Sequence, residues 1–174
     1  TLQQQTYAQA SFVKRNASTL GAYILISTEA AAQINRQGMT IVNIVTLALK
    51  SNGMPLDGTI FFDGTPEGFA TIQSSIPSTV NLFTFGISKP TVLDLLLESM
   101  ENLPQLNVFI SFNDLSLNFQ HISNRYPIWQ NTVLQRITVP MAKSGGGTRI
   151  WFLSSKTYTP KELPQPHAFF AFGF

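Results

Sequence analysis

The sequence predicts an α+β fold in which a long N-terminal helix packs on an antiparallel β-sheet, with shorter helices in the connections. Apolar residues between Val13 and Ile34 recur in steps of three, four or seven, which keeps them on one face of a helix. Two segments in the middle of the chain also carry the helical period. From Leu106 onward that period gives way to alternation, the mark of strands with two unlike faces.

The predicted long helix covers residues 1–37 and would run roughly 50 Å at 1.5 Å per residue. Its apolar stripe is Val13, Ala17, Leu20, Ile24, Ala31 and Ile34, the residues predicted to hold the helix to the sheet, and Gly38 supplies the stop. The chain has 174 residues, a length suited to one domain with one core. Only 11% of them are charged, about half the usual share, so the surface is mostly neutral and polar.

Eleven basic and nine acidic side chains leave a net charge of +2. The basic residues are scattered, and Lys14-Arg15 is their one adjacent pair, so no nucleic-acid partner is expected. There is no cysteine, which leaves the redox compartment open. No window offers the roughly 18 apolar residues of a membrane span. Thr1 to Gln5 has neither the basic start nor the apolar run of a signal peptide, and the chain is expected to be a mature or truncated product.

Residues 38–78 come next. Thr40 is a plausible N-cap for a helix with inward residues Ile41, Ile44, Val45, Ala48 and Leu49, ended at Gly53. Turn signals at Asn52-Gly53, Asp57-Gly58 and Asp63-Gly64 bracket a short strand from Thr59 to Phe62, and Phe69 to Ile76 is read as another strand. Residues 79–174 begin with a strand from Thr79 to Gly86. A helix follows, capped by Ser88, carrying Pro90 in its first turn and Leu93, Leu96, Leu97, Met100 and Leu103 on one face. Val108, Ile110 and Phe112 form the next strand, and Leu115, Leu117 and Phe119 continue the alternation. Leu134 to Val139 and Thr148 to Ser154 read as a strand pair joined through Gly145-Gly146-Gly147, and Ala168 to Phe174 as a last strand.

Chemistry-bearing residues are sparse. His121 and His167 have no ligand-spaced partner, and a surface or hydrogen-bonded role explains them. Asp94, Glu98 and Glu101 share helical spacing opposite the leucine stripe, which makes a solvated face of them. Asp57, Asp63 and Glu67 could approach a calcium ion, but the spacing is not that of an EF-hand and turn formation explains the Asp-Gly pairs. Gly145-Gly146-Gly147-Thr148 lacks the Lys of a phosphate loop and precedes a strand. Asn16-Ala17-Ser18 is a formal glycosylation triplet inside the predicted helix. No catalytic activity, metal or cofactor is expected. Aromatic pairs at Phe61-Phe62, Trp151-Phe152 and Phe169-Phe170 put rings on both faces of strands, so both faces should be covered.

The order of elements resembles type IVb pilins and their minor-pilin relatives. The segment Asn81-Leu82-Phe83-Thr84-Phe85-Gly86, leading into the helix from Pro90 and then Asn107-Val108-Phe109-Ile110, is the nearest local likeness, and Phe170-Ala171-Phe172-Gly173 is similar to the family's last strand. The resemblance implies a structural subunit of an extracellular filament with other pilin subunits and inner-membrane assembly machinery as partners. It implies one pilin-like domain, with residues 38–78 as the αβ-loop region and 79–174 as strand-helix-strand and sheet. The family's C-terminal disulfide and apolar half-helix have no counterpart in this sequence. Two other classes fit the composition, a virus or phage structural protein and a non-catalytic ligand-binding α+β domain.

Overall fold

The computed structural model describes residues 1–16, 21–77, 80–100, 107–111, 129–130, 134–140 and 147–153. The long N-terminal helix is not formed. Helix α1 runs only from Leu2–Asn16, and the chain then enters a strand, β1, Ala22–Ser27. The cause is local: Ala22 to Ile26 is an unbroken apolar run with β-branched residues, and its side chains are buried on both faces, as a central parallel strand requires. A short helix α2, Thr28–Ala32, follows at once, started by the Ser27 side chain accepting from the Ala30 N–H.

The predicted packing stripe is divided accordingly. Val13 is buried on α1, Ile24 is buried in β1, Ala31 is half-buried on α2, and Ile34 is 59% exposed beyond it. Ala17 and Leu20 lie outside the described residues. These residues share a spacing without sharing a helix.

Helix α3, Ile41–Ser51, forms as its pattern predicts, with Thr40 accepting from the Asn43 N–H and Ile41, Ile44, Val45, Ala48 and Leu49 turned inward. It leads to β2, Leu56–Phe62. The predicted strand from Phe69 to Ile76 is instead a helix, α4, Pro66–Ile72, followed by a 3-10 turn at Gln73–Ser75. Its start signal is complete: Thr65 caps it, Pro66 opens it and Glu67 lies in the first turn. Then come β3, Asn81–Phe85, α5, Pro90–Met100, and β4, Asn107–Ile110. The short β5, Trp129–Gln130, precedes β6, Leu134–Pro140, and β7, Gly147–Leu153.

The antiparallel sheet is overturned by the strand pairing. The described strands form one sheet in the order β2-β1-β3-β4-β7-β6-β5, and the pairs β1–β2, β1–β3, β3–β4 and β4–β7 are all parallel. Antiparallel pairing is confined to the far edge, where β6 meets β7 in the predicted hairpin and β5 meets β6. The fold is therefore α/β and Rossmann-like, with four parallel strands in the order 2-1-3-4 and β7 added beside β4 as a fifth.

Helices cover both faces of that unit. From β1 the chain moves one way to β2 through α3, then reverses across β1 to β3 and β4 through α4 and α5. Crossovers of one hand place the helices of the two directions on opposite faces. The packing agrees: Ile24, Ile26, Phe83 and Phe109 meet α1 and α3, while Leu25, Leu82, Val108 and Ile110 meet α4 and α5. Phe83 stacks on Phe109 with centroids 4.8 Å apart, and Phe69 sets its edge on Phe62 at 5.8 Å. Among the described residues, no helix is long and apolar enough to cross a membrane.

Candidate crevice at the carboxyl edge of the parallel strands

Parallel strands bring their carboxyl ends to one edge, and in an open α/β sheet the loops diverge where successive connections leave in opposite directions. Here that point lies between β1 and β3. A cavity of about 250 Å³ opens there, bounded by the residues that end β1, β2 and β3 and by Ser111 after β4. Its volume is under the roughly 300–1,000 Å³ usual for drug-sized ligands, so it suits a small molecule.

The floor is polar and closely built. Ser27 and Ser111 are each only 4% exposed. Gly86 sits beside Ser27 with φ +86, a conformation that side chains rarely adopt, and a Cβ there would run into Ser27 Oγ and lie 2.7 Å from its Cβ. Glycine is thus required both by the backbone and by the space.

The β2 side is shaped by Asp63 and Thr65. Asp63 Oδ1 accepts from the Thr65 N–H at 2.9 Å and from the Thr65 hydroxyl at 2.6 Å, while Thr65 Oγ1 accepts from the Gly68 N–H at 3.0 Å. The Thr65 hydroxyl, then its N–H, holds the Asp63 carboxyl below the usual carboxylate range, and the positive charge of Lys89 adds to the effect. Gly68 must lack a Cβ, since one would meet Asp63 Oδ1 and sit 2.8 Å from Oδ2.

Glu29 and Gln33 reach the cavity from the α2 side and Ser88 and Lys89 from the loop into α5, with Ile41 and Phe85 as apolar lining. Glu29, Ser88 and Lys89 are exposed, and their side chains make no hydrogen bond or ion pair among the described residues. The arrangement can surround a small polar molecule with hydroxyls, carboxylates and an ammonium.

Of the candidate catalytic and metal-binding residues considered in the sequence, the crevice gathers Asp63 alone among the described residues. Asp57 is at the opposite edge, its Oδ2 accepting from the Ala22 N–H at 3.2 Å, and Glu67 is exposed on α4. Asp94 and Glu98 belong to α5 and do not line the cavity. His121, His167, Glu101, Gly145 and Gly146 lie outside the described residues, as do the Leu115–Phe119 and Ala168–Phe174 strands. Among the described residues, no three His, Cys, Asp or Glu converge to hold a metal. Ser27, Glu29 and Lys89 carry no role in the sequence reading, Ser88 enters it only as a helix cap and Gly86 only as a strand end, although apolar run, serine, acidic helix start and glycine between strand and helix are all visible signals.

No family model matches this chain, and no curated protein matches it. Among solved structures, it is similar to an ABC transporter solute-binding protein from Clostridium phytofermentas with bound L-rhamnose, at 11% identity and a TM-score of 0.41. The match covers 90% of this chain and 64% of that one, so the chain spans less than two thirds of that protein's length. The likeness is loose and assigns no role to any residue here. The pilin resemblance, and the filament subunit it implied, fall with the sheet: a parallel α/β unit with a strand at 22–27 has neither the long helix nor the antiparallel sheet on which that reading stood.

Proposed function

We propose that this chain is a non-catalytic binding domain for a small polar molecule, seated in the crevice between the ends of β1 and β3. The observation that carries this reading is the cavity at the switch point, lined by the buried residues Ser27 and Ser111 beneath a polar rim. Two of the polar groups that line it already have structural partners. Ser27 Oγ accepts from a backbone N–H, and Asp63 is held by Thr65. Its orienting groups serve recognition without a bond-breaking step. No nucleic-acid partner is proposed, because the crevice presents two carboxylates against one ammonium.

The test is a titration of isotope-labelled protein with small polar metabolites, followed through backbone amide resonances. Binding should move the amides of Ser27, Gly64, Gly86 and Ser111 together and leave those of the amino edge, such as Asn81, in place. Saturable shifts that avoid the crevice, or none with any compound, would remove this reading.

A further inference from the structure

Charge is distributed unevenly around the crevice, and the pattern discriminates between ligand classes. Glu29 on α2 and Asp63 after β2 stand on one side, and Lys89 after β3 stands on the other. Lys89 is near enough to influence Asp63 electrostatically, yet no salt bridge joins them among the described residues. Opposite charges that face a common cavity without closing on each other leave room for something between them.

An anion would meet Lys89 but also two carboxylates, whose repulsion opposes it. A simple cation would satisfy the carboxylates and leave Lys89 repelling it. A neutral polyol would use the hydroxyls and Gln33, and would leave all three charges without a counterpart. A molecule with separated ammonium and carboxylate groups matches both sides at once. The apolar surfaces of Ile41 and Phe85 offer a place for a modest side chain, and the cavity volume of about 250 Å³ limits its size.

We propose that the crevice takes a zwitterion of the amino-acid class, its ammonium toward Glu29 and Asp63 and its carboxylate toward Lys89 and Ser88. This rests on the binding reading above and narrows it to one chemistry.

Calorimetric titration of the chain with the individual L-amino acids, with D-glucose and D-ribose, and with inorganic phosphate tests it. At least one amino acid should bind. Glu29→Gln and Lys89→Met should each weaken that binding about tenfold or more, the loss of one charge-assisted hydrogen bond. Lys89→Arg should retain most of it, and the melting temperature of each ligand-free variant should match the parent. A sugar or phosphate binding in the crevice with no amino acid bound would overturn the zwitterion while leaving the binding domain intact. An amino acid bound equally well by Glu29→Gln and Lys89→Met would overturn it too. Folded protein that binds none of these compounds would overturn the zwitterion, and resonances unmoved by the wider metabolite set would then remove the binding domain as well.

Discussion

The two ends of the parallel strands handle their polar groups in opposite ways. At the amino edge, Asn81 donates its backbone N–H to Gly21 O at 2.8 Å and its side-chain Nδ2 to the same oxygen at 3.0 Å, while Asp57 Oδ2 accepts from the Ala22 N–H. These bonds are internal and fix where β1, β2 and β3 begin. At the carboxyl edge, Ser27 and Asp63 are held in place, but Glu29, Ser88 and Lys89 point polar groups at a cavity and bond to nothing among the described residues. One edge is closed on itself and sets register. The other is shaped by fixed groups and rimmed by free ones, the division of labour expected of a binding edge in this architecture.

The change that tests the shared foundation of both edges should have the largest effect. Ile24 is fully buried in β1 against α1 and α3. Ile24→Asp would place an unpaired carboxylate in that layer and should cost more than about 4 kcal/mol, or abolish folding. Urea denaturation read by far-ultraviolet circular dichroism measures it. A loss under about 1 kcal/mol would mean that β1 is not the central strand, and the two edges would have no common frame.

Gly86→Val should come next, because it disturbs the backbone beneath the crevice and leaves the amino edge alone. A β-branched residue at φ +86 is strained, and its Cβ would collide with Ser27. A cost of about 2–3 kcal/mol is expected, with loss of crevice binding in any fraction that folds. Retained stability together with retained binding would show that the floor is not built as described.

How much of this was legible in the sequence depends on what each element needs. Helix α3 announced itself through Thr40, an inward face and Gly53, and α5 through Pro90 and its leucines, since amphipathic helices half-bury themselves and so display a period. The β6–β7 hairpin was visible from two alternating runs around glycines. Strand β1 was not, because a strand covered on both faces has no alternation to show, and Ile24 happened to fall in step with Val13, Ala17 and Leu20. Helix α4 has a complete start signal in Thr65-Pro66-Glu67, but its aromatic and β-branched residues imitate a strand. The crevice was illegible for a different reason. Ser27, Asp63, Gly86 and Ser111 are far apart in the chain and converge only once parallel pairing aligns the strand ends.

At the closed edge, Asn81→Ala removes one of the two bonds to Gly21 O and leaves a gap at a fully buried position. It should cost about 1–2 kcal/mol, since the backbone N–H still satisfies that oxygen. Ligand affinity should be unchanged. Equilibrium denaturation and the same calorimetric titration would separate the two, and a variant of parental stability but weakened binding would erase the contrast between the edges.

The smallest expected effect is a pH dependence at the open edge. Asp63 has its carboxyl pKa lowered from 3.8 by the Thr65 hydroxyl and N–H, so the folded protein favours the ionised form more than the unfolded chain does. The stability this contributes is present above the unfolded pKa and is lost as pH falls through the folded one. Asp63→Asn, which keeps an acceptor oxygen for Thr65 but not the charge, should therefore lower the melting temperature slightly at pH 6, and the deficit should shrink as pH is brought below about 4. Paired melting curves from pH 6 to pH 3 decide the matter. A deficit for Asp63→Asn that stays constant with pH would show that the Thr65 bonds hold the loop through geometry alone, whatever the charge of their acceptor.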